Sequence, residues 1–155
     1  MDMNSVIDEY LAGTAKLREA TAGLSYEQQR TRPVAGKWSV LEVVAHLADF
    51  EPVYADRMKR VIAEETPALM SGDPDLFAAS LAYHARDLDE ELRLIEAVRG
   101  QMARILRQVD PAAWSRAGKH SSDGLISLQT LLTRITNHIP HHLPFIVEKR
   151  NAMGV

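Results

Sequence analysis

The chain has 155 residues, 46% of them hydrophobic and 25% charged, which is the balance of an ordinary soluble globular protein. Its formal net charge of -3 excludes a basic nucleic-acid surface, and the lack of cysteine excludes disulfides, thiolate metal ligands and a cysteine nucleophile. The N-terminus lacks a signal-peptide pattern, and no apolar run reaches the roughly 20 residues that span a bilayer, so we expect one cytoplasmic domain over residues 1–155 without a membrane partner.

Helical periodicity starts at the N-terminus, and period-2 strand patterns are nearly absent from the whole chain. Apolar residues spaced three and four apart predict a first amphipathic helix over residues 4–22. Residues 25–28, Ser-Tyr-Glu-Gln, have the capping-box pattern that begins a short helical turn.

A second long helix is predicted within residues 36–65. Ser39 followed by Glu42 is a capping box directly ahead of an apolar-periodic run. Pro52 falls inside this run, and it predicts a kink or a local break just before it.

The rest of the chain alternates between loops and helices. Turn-forming residues predict loops at 66–74 and 110–126. A long helical region is predicted over 75–109, with a second possible start at 87–90, and the last helix over 127–150. Four substantial helices with connecting loops predict an all-α fold, a four-helix bundle.

The segment NHIPHHLPF (137–145) places three histidines in the last helix. On a helical wheel His138 and His142 fall in the buried stripe one turn apart, whereas His141 falls on the polar flank. Two imidazoles at this spacing can approach one metal ion together. The alternative is a pair of core histidines satisfied by hydrogen bonds.

A third imidazole is available on the second long helix. His46 lies at the edge of its apolar stripe, so three neutral imidazoles from two helices could hold a divalent ion and leave coordination positions open. His84 lies on the stripe of the third helical region and is expected in the core or at its rim. His120 lies in a loop, where spacing does not determine its position.

Two prolines flank His142. Pro140 and Pro144 each delete a helical hydrogen bond, which costs up to about 3 kcal/mol in a helix interior. They predict a bend at the proposed site, a kink that wraps the end of the bundle, or a break in the helix. A break between His138 and His142 would remove their shared face.

Two segments carry the pattern of a known family, GKWSVLEVVAHLADFE (36–51) and DGLISLQTLLTRITNHIPHHLPFI (123–146). The first resembles the Trp-Ser-x-x-Glu-x-x-x-His-Leu motif of the DinB-like (YfiT-like) superfamily of metal-dependent enzymes. The second is similar to the C-terminal helix of that superfamily, which ends in His-x-x-His-His. The region between them, including residues 93–120, also fits, so the resemblance covers most of the chain from Gly36 onward.

The resemblance implies a four-helix bundle of the DinB/YfiT-like type that holds one divalent metal ion. Carried over by position, the metal ligands are His46, His138 and His142. Zinc or nickel is the expected ion, ranked by availability. The resemblance also implies a homodimer and a small-molecule substrate, acted on by a hydrolase or by a transferase that uses a low-molecular-weight thiol. Pro144 departs from the family pattern, in which this position is more often polar.

Such a centre lowers the pKa of bound water to about 7, or polarises a substrate carbonyl or thiol. Glu42, one turn before His46, is the candidate catalytic base or the group that orients His46. Completing the capping box with Ser39 is its alternative role. Asp49 is a second candidate, although Asp49 and Glu51 are expected on a solvated helix face.

Two other function classes stay open on the sequence. One is a metal-binding or small-ligand-binding bundle without catalysis, and the other is an interaction protein whose histidines are structural. Trp114 and the apolar segment 66–70 fit either the core or an interface.

Overall fold

The computed structural model describes residues 2–155 and contains four long helices packed as a bundle. These are α1 (Met3–Thr21), α3 (Val40–Ala63), α5 (Leu88–Leu106) and α6 (Leu128–Met153), with two short helices between them, α2 (Tyr26–Arg30) and α4 (Pro74–Ser80). α5 and α6 each pack against both α1 and α3, so that α1 and α3 lie diagonally across the bundle. The predicted four-helix bundle is confirmed.

The predicted helix starts agree with the observed capping hydrogen bonds. Ser25 with Gln28, and Ser39 with Glu42, both form complete capping boxes at the starts of α2 and α3. Ser127 caps α6, whose other end is closed by Gly154 in the left-handed conformation. Local side-chain bonds to free backbone N–H groups therefore set these boundaries.

The third helical region follows the alternative reading, in which it has a second start. Asp87 caps α5, and the preceding stretch is α4 and a 3-10 turn at Tyr83–Ala85. Ala82 between them has a left-handed backbone conformation, which interrupts the helical hydrogen bonding there.

The two predicted loops contain a small sheet that the sequence analysis missed. Its strands are β1 (Ala68–Leu69), β2 (Ala117–His120) and β3 (Gly124–Ser127), preceded by a 3-10 turn at Pro111–Ser115. β1 pairs with β2 in parallel, and β2 pairs with β3 antiparallel. Strands of two to four residues are too short to produce a readable period-2 pattern. Gly118 permits the pairing, because a Cβ there would lie 2.7 Å from Cγ of Leu69.

Of the kink or break expected at the prolines, the break is wrong and the kink stays a prediction. α3 continues through Pro52, and α6 continues through Pro140 and Pro144. All three rings are exposed, while buried neighbours such as Ile139 and Ile146 keep α6 packed on the core. Packing of this face offsets the lost hydrogen bonds, so His138 and His142 share one face.

A buried ion pair joins all four long helices. Arg99 of α5 is fully buried and donates to the carboxylate of Glu51 on α3, with Nε to Oε1 at 2.8 Å. The same guanidinium donates to the backbone carbonyls of Tyr10 on α1 and Ile135 on α6, at 2.6 and 2.9 Å. The expectation that Glu51 is solvated is wrong, because its exposed fraction is 0%. Burial raises the pKa of Glu51, against the opposing effect of Arg99.

Two helical glycines test how tightly this network is packed. A Cβ at Gly13 of α1 would lie 2.6 Å from Nη1 of Arg99, which its hydrogen bonds hold in place. We expect Gly13→Ala to destabilise the protein by about 1–3 kcal/mol because the buried network must shift. Gly100→Ala on α5 is the matched control, since its new Cβ meets nothing closer than 3.8 Å. It should stabilise by up to about 1 kcal/mol through helix propensity. Urea denaturation of both variants measures the difference, and equal effects would contradict it.

Among residues 2–155, no helix combines the length and the apolar character that crossing a bilayer requires.

Candidate metal centre

Three histidines from two helices converge at one end of the bundle, and we call them the histidine cluster: His46 of α3 with His138 and His142 of α6. Each offers a ring nitrogen, and these nitrogens all lie within 4.8 Å of one another. Nε2 of His46 lies 3.0 Å from Nε2 of His138. The structure thus brings together the three histidines that the sequence singled out.

Aromatic side chains hold the rings of this cluster. The ring centroid of His46 lies 5.3 Å from that of Trp38 and 5.0 Å from that of Phe50. Nδ1 of His46 and Nδ1 of His138 are buried, and neither forms a hydrogen bond within the described part of the chain. The ring orientation of His46 is therefore set by packing against aromatic rings rather than by a hydrogen-bonded carboxylate.

Burial keeps the histidine cluster uncharged at neutral pH. It lowers the pKa of His46 to about 4, that of His138 to about 3 and that of His142 to about 4. Mutual repulsion of the rings adds to the lowering at His138 and His142. A neutral imidazole has one unprotonated nitrogen whose lone pair can bind a metal. Three such nitrogens close together can all be ligands of one divalent cation, because each is uncharged and offers its lone pair.

The lowered pKa values predict how pH changes the stability of chelator-treated protein. An unfolded histidine has a pKa of about 6.5, so the unfolded chain binds more protons than the folded chain between about pH 6.5 and pH 4. The free energy of unfolding should therefore fall as the pH drops through this window. His138→Asn should flatten that dependence, because it removes the most strongly shifted group.

Thermal melts of both proteins from pH 7 to pH 4 measure this difference. Parallel curves for the two proteins would contradict it. His141→Asn is the control, since His141 is exposed and lies outside the cluster.

Glu42 is engaged at the start of α3. Its carboxylate accepts from the backbone N–H of Ser39 at 2.9 Å and from Arg32 at 2.6 Å. Burial raises the pKa of this carboxyl, but the bonds from Arg32 and Ser39 outweigh burial and leave the pKa below its ordinary value. These bonds favour the capping role, and the catalytic role of Glu42 stays a prediction.

The other sequence candidates do not belong to the histidine cluster. Asp49 is largely buried and pairs with Arg86 at 2.6 Å, which corrects its expected solvated position. His84, expected in the core or at its rim, has an exposed side chain, which excludes the core. Trp114 packs against the core, while Met70 of the 66–70 segment is exposed.

A cleft of about 320 Å³ opens beside the histidine cluster, and we call it the histidine cleft. Its lining includes His46, His138, Phe50, Tyr54, Arg57 and His120. Sequence reasoning missed Arg57 and could not place His120. No local pattern marks either residue as part of a site. The sheet places His120 at the cleft, and the loop before α4 accepts a hydrogen bond from Arg57 of α3.

Comparisons with known proteins agree with this architecture. A family model described as the DinB superfamily matches residues 9–146. A relative from Oceanobacillus iheyensis, named as a candidate metal-dependent hydrolase, is 32% identical over 130 residues, which cover 84% of this chain and 75% of the relative. YfiT from Bacillus subtilis, named in the same way, is 29% identical over 141 residues, which cover 90% of this chain and 79% of YfiT.

Solved structures show the same fold. The structure of Bacillus subtilis YfiT, described as a candidate metal-dependent hydrolase with an unusual four-helix bundle topology, matches with a TM-score of 0.89 at 28% identity. The match covers 97% of this chain and 86% of that one. A mycothiol-dependent maleylpyruvate isomerase matches with a TM-score of 0.73 at 15% identity, over 93% of this chain and 60% of that one. The second likeness is one of fold alone.

Proposed function

Because this chain belongs to the DinB superfamily, we propose that it is a metal-dependent enzyme that holds one divalent cation through His46, His138 and His142. The observation that carries the proposal is the convergence of three uncharged imidazoles, one buried and two half-buried, whose ring nitrogens lie within 4.8 Å of one another. The names of its relatives, which describe candidate metal-dependent hydrolases, support the same reading.

Imidazole donors suit zinc or nickel, and we propose one of these as the ion. When bound, such a cation supplies Lewis-acid chemistry that activates water or a thiol and polarises a carbonyl. The chain itself contributes candidate ligands on two packed helices, aromatic rings that pack against His46, and the histidine cleft as the entrance for substrate. Rigid helices hold such ligands more accurately than loops do.

We propose hydrolysis of a small molecule as the reaction, because the relatives are named for it. Transfer that uses a low-molecular-weight thiol is the second candidate, and the fold shared with a mycothiol-dependent isomerase is what supports testing it. A metal-binding bundle without catalysis is the alternative from another class. We also propose that residues 1–155 form one domain and that two copies form a homodimer, which light scattering would test.

Metal content and turnover together test the proposal. Protein purified without chelator and supplied with zinc or nickel should contain one ion per chain by elemental mass spectrometry. A panel of esters and amides, and a second panel of thiols with electrophiles, then identifies the reaction class. A stoichiometric ion without turnover on either panel would favour the non-catalytic bundle. Absence of any bound ion would overturn both metal-based readings.

Glu42→Gln separates the two roles of that carboxylate. The amide keeps the hydrogen bond from the Ser39 N–H and loses the charge that pairs with Arg32. If Glu42 only caps α3, we expect stability to fall by about 0.5–2 kcal/mol and kcat to stay unchanged. A general base contributes about 100-fold or more, so a kcat loss of that size with a small stability loss would assign Glu42 to catalysis.

A further inference from the structure

The histidine cleft contains a buried positive charge that no carboxylate within residues 2–155 neutralises. Arg57 of α3 is only 6% exposed, and it forms no ion pair within residues 2–155. Its Nε and Nη2 donate to the backbone carbonyl of Met70 at 3.1 and 2.6 Å. Its guanidinium carbon lies 4.8 Å from the centroid of the Tyr54 ring, which covers one face of the group. Its Nη1 forms no hydrogen bond among the described residues, and Arg57 lines the cleft. A buried charge without a counter-ion is costly, so an anion from outside would stabilise it.

A second donor lines the same cleft. His120, at the end of β2, is 8% exposed. Its Nδ1 accepts the backbone N–H groups of Ser122 at 3.3 Å and Asp123 at 3.2 Å, so Nδ1 carries no proton. The proton of this imidazole therefore lies on Nε2, which has no acceptor in the described part of the chain. The turn after β2 thus fixes His120 as a donor toward the cleft.

The other charges that line the cleft cancel. Arg134 pairs with Asp123 at 2.8 Å, so together they contribute no net charge. Arg57 therefore leaves one positive charge for a ligand to match. A carboxylate carries one negative charge, and its oxygens can accept from Nη1 of Arg57, whose Nε and Nη2 already donate to Met70.

We propose that the histidine cleft binds the carboxylate of a small substrate through Arg57 and His120, which orients the rest of that molecule toward the histidine cluster. The inference rests on the proposed function, because the orientation of the substrate matters only if the histidine cluster is catalytic. Binding of the carboxylate itself does not require a metal. Phe50, Tyr54 and Pro74 give the cleft an apolar wall for the hydrocarbon part of the substrate. A volume of about 320 Å³ lies at the small end of ligand sites, which favours a small monocarboxylate.

A charged and a neutral probe of the same shape test this proposal. Benzoate and benzamide are titrated into chelator-treated protein and into zinc-loaded protein, and binding is followed by amide chemical shifts in NMR. Benzoate should bind both forms and shift residues of the cleft, whereas benzamide should bind far more weakly. Phenylphosphonate serves as the dianionic comparison and should bind no more tightly than benzoate.

Three variants assign the contacts. Arg57→Gln should weaken benzoate binding about 10- to 100-fold, as expected for a hydrogen bond between charged groups. Arg60→Gln, an exposed arginine on the same helix that pairs with Asp56 and Glu64, is the matched control and should leave binding unchanged. His120→Asn keeps an acceptor for the turn N–H groups and removes the Nε2 donor, so it should weaken binding about 3- to 10-fold.

The outcomes separate this inference from the metal proposal. Benzoate binding that Arg57→Gln leaves intact, equal binding of benzamide, or no cleft shifts with benzoate would each overturn it. Benzoate binding that needs zinc but not Arg57 would overturn it while leaving the metal centre standing. Binding that depends on Arg57 in a protein that holds no zinc or nickel would support it while the metal proposal fails. If Arg57→Gln does not fold, His120→Asn and the benzoate-to-benzamide ratio of the unaltered protein decide.

Discussion

Replacing His138 with alanine is expected to abolish stoichiometric metal binding while the bundle stays folded. Burial lowers the pKa of His138 further than that of either other imidazole of the cluster. Its Nε2 lies 3.0 Å from Nε2 of His46. Changes to groups that merely support a metal ligand cost about 10- to 100-fold in metal affinity, so losing one of three ligands should cost at least about 100-fold. The fold should survive, because residues such as Leu131, Ile135 and Ile139 pack α6 independently of the metal.

Elemental analysis and competition with a chromogenic chelator measure this loss. His141→Ala is the matched control, since His141 is the exposed neighbour of His142 on the same helix. It should retain one ion per chain. An unchanged metal content in His138→Ala, with the control also unchanged, would refute the assignment of His138 as a ligand.

The largest expected loss of stability follows from replacing Arg99 with alanine. The buried carboxylate of Glu51 would lose its counter-ion, and the carbonyls of Tyr10 and Ile135 would lose their donor. Breaking one side of a buried ion pair costs about 3–5 kcal/mol, because the remaining charge stays buried without a partner. Four helices meet at this guanidinium, so the whole bundle should unfold at lower denaturant concentration.

Urea denaturation measures this change. Arg104→Ala, an exposed arginine of the same helix, is the control and should change the free energy of unfolding by less than about 0.5 kcal/mol. Adding Glu51→Leu to Arg99→Ala should recover part of the loss, because no uncompensated carboxylate remains. A loss below about 1 kcal/mol for Arg99→Ala alone would contradict the role of the network.

Local sequence signals predicted the helices and their starts well. Ser25, Ser39 and Asp87 each precede a helix that the structure confirms, because a cap depends only on residues within one turn. The wheel also selected His138 and His142 over His141, since helical spacing alone places two of them on the buried face. These predictions needed no knowledge of what packs against each helix.

Long-range contacts explain the errors. Glu51 looks like a solvated charge until Arg99, distant in the chain, is seen to meet it inside the bundle. Pro52 looks like a helix breaker until the packing of its neighbours offsets one lost hydrogen bond. The small sheet was missed because its pairing joins residue 68 to residue 119, and no local period reveals such a contact.

By itself, the sequence determined the helical fold class and the helix caps, since each depends on spacing within a few turns, and it singled out His46, His138 and His142 as candidates. Only the tertiary structure decided that those histidines share one point, that Arg99 ties four helices together, and that Arg57 and His120 face one cleft. Convergence of this kind depends on how helices pack and where loops return, which are properties of contacts between distant segments. Capping and periodicity, in contrast, depend on residues that are near one another in the chain, so they can be predicted from the sequence.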